Sequence, residues 1–158
     1  MCRQAAVLSV ALLLIVLLLA APAYAAGVVY KPGDWFKYRY SVSGQYLTQS
    51  IDCVFIVKIT VEDVRGTVVK YRVSFESVER GGPECEMAKS VIAAFGTTVG
   101  EIDVSGRRPE TGGVFVDPSY SGTYTPVSGV KVTYNSGVLT YAEASQLGLT
   151  VKIELIDT

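Results

Sequence analysis

The sequence predicts a mainly β fold: an antiparallel sheet of about seven strands, curled as a half-barrel or stacked as a sandwich, with one short helix near residues 84–95. Three observations carry this. Apolar and aromatic residues alternate with polar ones over several segments, the period of a half-buried strand. Gly, Pro, Asn and Ser clusters separate those segments at short intervals. Only one stretch changes to a helical period.

The first strand runs over residues 34–42, with Phe36, Tyr38, Tyr40 and Val42 on one face and Trp35, Lys37 and Arg39 on the other. Trp35 opens that strand, so it serves either as a lid over the end of the sheet or as a stacking platform for a ligand. A longer strand follows at 51–64, where Cys53, Phe55, Val57, Ile59 and Val61 share a face. Its first half is apolar on both sides through Val54 and Ile56, which calls for cover on both faces or a central place in the sheet. Val69, Tyr71, Val73 and Phe75 repeat the alternation against Lys70, Arg72, Ser74 and Glu76.

These two strands read as a hairpin, and the faces select its register. Pairing Val61 with Lys70 would set core against solvent, whereas Val61 with Tyr71, Ile59 with Val73 and Glu62 with Lys70 match faces and charges. That register predicts a three-residue loop, Arg65-Gly66-Thr67.

After Gly81-Gly82-Pro83 the period becomes helical: Met87, Val91 and Phe95 mark one face, with Glu84 and Glu86 at the start and Gly96 at the end. Strand period returns over 97–104, and 106–113 reads as a loop. Residues 114–116, 130–134, 138–142 and 149–156 are the remaining strands, with a Gly-, Pro-, Ser- and Tyr-rich link at 117–129 and a turn at Asn135-Ser136-Gly137.

Ahead of this domain stand Arg3, an apolar run over residues 5–21, and the small-residue pattern Ala23-x-Ala25. That is a secretory signal cut before Ala26, leaving a single β-rich domain of residues 26–158. The alternative is a retained anchor, but the run falls short of the about 20 apolar residues a span needs. The expected location is outside the cell or at its surface. Membrane contact is then limited to the signal before cleavage.

Cys53 and Cys85 remain after the cut, and an even pair in an exported chain predicts a disulfide. Closing the loop between them would restrict the unfolded chain by roughly 3 to 4 kcal/mol. Two cysteines without a histidine cannot furnish a zinc site, so no metal and no cofactor are expected. The chain has 14 basic and 15 acidic residues, no excess that would hold a phosphate backbone, and nucleic acid is excluded as a partner. Arg107-Arg108 is the one dense basic pair and reads as a solvated loop. Asn135 is the only asparagine and lies outside any N-x-Ser/Thr acceptor; so few amides suit a hot-living source.

Gly33-Asp34-Trp35-Phe36-Lys37-Tyr38 at the start, Tyr134-Asn135-Ser136-Gly137-Val138-Leu139 and the final Glu154-Leu155-Ile156-Asp157-Thr158 resemble the two ends of exported archaeal proteins of uncharacterised function. The closing hairpin is also similar to the terminal strands of half-barrel carriers of the lipoprotein-carrier type. The resemblance implies a curved antiparallel sheet. This chain differs in placing a helix-like insert with Cys85 between its third and fourth strands.

No catalytic residues emerge. Acid–base chemistry without histidine needs paired carboxylates or a shifted lysine, and the carboxylates here are scattered over polar strand faces and loops. The expected function is non-enzymatic: a secreted or cell-surface domain that binds a small apolar ligand or another surface protein, with Trp35, Tyr120 and Tyr124 as candidate ligand-binding residues. The alternative is a structural subunit of a surface assembly joined by edge-strand pairing. The oligomeric state is left open.

Overall fold

A computed structural model of the chain describes residues 29–46, 48–86, 89–90 and 98–158. Eight strands form one antiparallel sheet: β1 (Trp35–Tyr46), β2 (Gln49–Arg65), β3 (Val68–Arg80), β4 (Val99–Asp103), β5 (Gly122–Tyr124), β6 (Val130–Asn135), β7 (Val138–Gln146) and β8 (Leu149–Asp157). Their order is β4-β3-β2-β1-β8-β7-β6-β5, so the chain steps outward from β1 to one edge, crosses to the other and steps back to pair β8 with β1. The expected signal segment lies outside the described residues. So does most of the expected helix, of which Pro83–Cys85 form a 3-10 turn and residues 86, 89 and 90 are helical.

The sheet is curled, and Phe115 shows by how much. Its ring centroid lies 5.6 Å from that of Tyr71 on β3, while its backbone bridges to Val138 on β7. Those strands are four places apart in the sheet, which would put them about 19 Å apart if it were flat. One residue reaches both only because the sheet wraps around it. Of the two expected architectures, the half-barrel is the one observed.

The sequence expects a strand at 114–116 and a link at 117–129. Instead, residues 114–116 cross the concave face with the single bridge at Phe115, and the edge strand β5 lies inside the link. The crossing is fixed at both sides by backbone hydrogen bonds: Val104 N–H to the Thr67 carbonyl, Val116 N–H to Gly137 and Leu139 N–H to the Val114 carbonyl. Gly137 sits in a two-residue turn at φ +77°, and a Cβ there would come within 2.5 Å of the Val116 carbonyl oxygen. Glycine answers both demands.

The β2–β3 hairpin departs from the expected loop. Val61 opposes Tyr71 and Ile59 opposes Val73 as expected, but Asp63, not Glu62, opposes Lys70, and the turn is the two-residue Gly66-Thr67. A two-residue turn imposes an odd register, whereas the buried faces require an even one. Leaving Glu62 unopposed reconciles them, because a bulge adds one residue to one strand. Two further register shifts leave Glu76 and Glu79 unopposed in β3. They return Val78 to the concave face opposite Phe55 and set Arg80 outward opposite Val54.

The concave core joins Phe36 and Tyr38 of β1, Ile59 and Val61 of β2, Val69 of β3, and Tyr134 and Leu139 of β6 and β7 with Tyr30, Val104, Phe115 and Val116. A smaller cluster of Cys53, Phe55 and Cys85 lies farther along β1–β3 against Tyr40, Val42 and Phe75.

Candidate functional site

The interior of the half-barrel is the first place to look for a ligand, and the chain fills it. Phe115 and Val116 are 1% and 0% exposed, and Phe115 packs against Tyr30, Phe36 and Tyr71 at ring separations of 4.8 to 5.7 Å. Tyr38 and Tyr134 add polar anchors inside: the Tyr38 hydroxyl donates to the Leu139 carbonyl at 2.8 Å and that of Tyr134 to the Gly113 carbonyl at 2.9 Å. Burial pushes the Tyr38, Tyr40 and Tyr134 phenols above their ordinary range and that of Tyr30 up to about 12. Among the described residues the buried Tyr30 hydroxyl has no hydrogen-bond partner.

Cys53 and Cys85 are bonded, as the sequence expects, with their Cα atoms 5.8 Å apart. The bridge ties the middle of the sheet to the turn that follows β3 and closes the smaller core cluster. A disulfide of this kind fits an oxidising compartment.

The convex face is ionic. Lys37 pairs with Glu76 at 3.1 Å and Arg39 with Glu79 at 3.0 Å, each pair spanning β2; Glu62 takes Arg72 at 2.6 Å and Lys70 at 3.6 Å. The three glutamates left unopposed by the register shifts therefore each supply an acid of this layer. A bulge frees a side chain from the strict alternation of the strand, and here each freed carboxylate reaches a cation. Under this layer Val54 and Ile56 are 8% and 5% exposed, which is the second covered face the sequence expects for β2. Long charged side chains cover apolar ones with their stems.

Between these pairs lies an open cleft of about 580 Å³ lined by Arg39, Ser41, Ser43, Asp52, Val54, Glu79, Arg80 and Lys152. Arg80 holds both carboxylate oxygens of Asp52 at 3.0 and 3.2 Å. The sequence hints at this cleft only through the polar residues on the outward positions of β1; the β3 side depends on the two bulges.

Of the candidate ligand-binding residues, Tyr120 and Tyr124 come together, edge to face at 6.0 Å, and pack on the rim of the concave core. Trp35 stands apart from them on the convex face, where the Lys58 ammonium lies 4.5 Å and that of Lys37 5.7 Å from its ring centroid. Lys37 and Lys58 are direct cross-strand partners, and the aromatic face sets negative charge beside two ammonium groups that would otherwise repel. Trp35 also lines a second cleft with Gly33, Asp34, Phe36 and Thr158.

Arg107 is half-buried, donating from Nη2 to the Gly112 carbonyl at 3.0 Å, while Arg108 is exposed. Asp117 accepts from the Gly106 N–H and from Ser119, and these bonds hold its carboxyl below the usual range. Among the described residues no cluster of His, Cys, Asp and Glu could hold a metal ion. Comparison of the chain with protein-family models, with curated proteins and with solved structures finds no match.

Proposed function

We propose that the chain is an exported, cell-surface β-domain that acts without catalysis by binding another surface protein across its convex face. The observation that carries this reading is the filled interior: the segment bearing Phe115 and Val116 occupies the space a half-barrel carrier would offer to an apolar ligand. The cleft between the ion pairs faces outward and is lined mostly by charged and hydroxyl side chains.

The non-catalytic part of the reading rests on a chain without histidine and on carboxylates engaged in ion pairs or loop hydrogen bonds, such as Glu62, Glu76, Glu79 and Asp117. A general acid at neutral pH needs a carboxyl pushed upward, and Asp103 and Asp117 are both held down by backbone and side-chain donors. The alternative of assembly through edge strands receives less support. β4 is five residues long and carries Glu101 and Asp103, and β5 has three residues, both ordinary ways of blunting an edge.

The test is cross-linking on intact host cells through Lys37, Lys58 and Lys152, followed by mass spectrometry of the purified protein and of its organic extract. A defined protein partner with no stoichiometric extractable lipid supports the reading. A stoichiometric apolar molecule in the extract would restore the carrier, and filaments of the pure protein would favour assembly.

A further inference from the structure

Three neighbouring loops at one end of the half-barrel differ in chemistry from the loops at the other. The β7–β8 turn places Leu147 at φ +53° with 82% of its surface exposed, and the loop between β5 and β6 exposes 62% of Val127. A two-residue hairpin turn of this hand prefers Asn, Asp or Gly where Leu147 stands, so the leucine is unfavourable both for its backbone and for its solvation. The two loops are neighbours, since the Ser145 N–H donates to the Gly129 carbonyl at 3.1 Å. The β1–β2 hairpin joins them through the Gln45 N–H, which donates to the Gly148 carbonyl at 3.1 Å.

Charge is missing from these three loops, while the turn after β3 brings Arg80, Glu84 and Glu86 toward the same end, beside Asp52. Residues 44–50, 118–130 and 144–151 contain no Asp, Glu, Lys or Arg. The opposite end carries Lys31, Asp34, Asp63, Arg65, Asp103 and Asp157.

We propose that these uncharged tips insert Leu147 and Val127 into the interfacial layer of a lipid bilayer. The two aliphatic side chains stand on separate turn tips and not on one contiguous face, which suits a deformable medium better than a shaped protein surface. The residues around them are Ser, Thr, Gln, Gly and Pro, which tolerate the headgroup layer, whereas a charge carried toward the hydrocarbon is strongly penalised. With 13 basic and 15 acidic residues after the signal, the chain has no net positive charge to seek anionic lipid, so the surface it fits is a zwitterionic one. The inference does not depend on the protein-binding reading.

The experiment is fluorescence quenching by vesicles of phosphatidylcholine with brominated acyl chains. The native protein reports from Trp35, about 30 Å from Gly44 along β1 at ~3.3 Å per residue. Leu147→Trp and, separately, Val127→Trp, each with Trp35→Phe, report from the tips. Quenching and a blue shift at either tip, with Trp35 unaffected, is the expected result. Unquenched tips, or quenching of Trp35 alone as a retained N-terminal anchor would produce, overturn the proposal. On the protein cut at Ala26, Leu147→Ser should weaken vesicle binding about tenfold, the scale of burying one leucine; unchanged binding argues against insertion.

Discussion

The Tyr38 hydroxyl reaches the Leu139 carbonyl at 2.8 Å, tying β1 to β7 over the intervening β8 inside a core where Tyr38 is fully buried. Tyr30, in the same core, buries its hydroxyl with no partner among the described residues. Removing the first hydroxyl leaves an acceptor unsatisfied, while removing the second relieves an unmet donor. Tyr38→Phe should therefore cost about 1 to 2 kcal/mol and Tyr30→Phe should be neutral or stabilising by up to about 1 kcal/mol. Urea unfolding of both variants checks the contrast.

The same phenols make stability fall in alkali. Burial raises the Tyr30 pKa from 10.0 in the unfolded chain to about 12, and Tyr38, Tyr40 and Tyr134 move in the same direction. A raised pKa means that the unfolded chain releases its proton first, so the contribution is complete below pH 10 and is lost as pH climbs from 10 toward 12. The thermal midpoint should hold to pH 9 and drop steeply above 10. Phenolate absorbance should rise in step with unfolding.

Glu62 faces two cations from its bulge, with Arg72 at 2.6 Å and Lys70 at 3.6 Å. Glu62→Lys should destabilise by roughly 1 kcal/mol, because it sets three like charges together. Lys70→Glu in the same chain should restore only part of this, and Arg72→Glu more. A larger coupling to Lys70 in double-mutant cycles would contradict the bulged register.

Gly137 and Gly66 both occupy turns at positive φ, but only Gly137 has the Val116 carbonyl close by; the space beside Gly66 is open. Gly66→Ala should cost about 1 kcal/mol, the backbone penalty alone. Gly137→Ala should cost at least about 2 kcal/mol, since the crossing segment must also shift. Equal losses by thermal denaturation would mean that the crossing is not held against the turn.

Cys85→Ser should lower stability by roughly 2 to 5 kcal/mol, the usual cost of removing a native disulfide from a small secreted domain, while leaving the far-ultraviolet β signal in place. The larger core, from Tyr30 to Leu139, does not include the bridge.

The strands were legible in the sequence because alternation is local. Phe36-Lys37-Tyr38-Arg39-Tyr40 declares a two-faced strand whatever it pairs with, and Val54 with Ile56 declares that β2 is covered on both sides. The disulfide was legible because only two cysteines remain after the expected cut. Tyr120 and Tyr124 as neighbours, and Trp35 away from them, were not, since their separation depends on which face of a curled sheet each one meets.

What the sequence determined by itself is therefore the antiparallel β class, the faces of the long strands and the Cys53–Cys85 pairing, all set by short-range period or by elimination. Only the tertiary structure decided the rest. Parity between a two-residue turn and two buried faces had to be resolved by leaving Glu62 unopposed, and curling the sheet created an interior that Phe115 could fill. Both outcomes depend on contacts between residues far apart in the chain, which carry no period for a sequence to display.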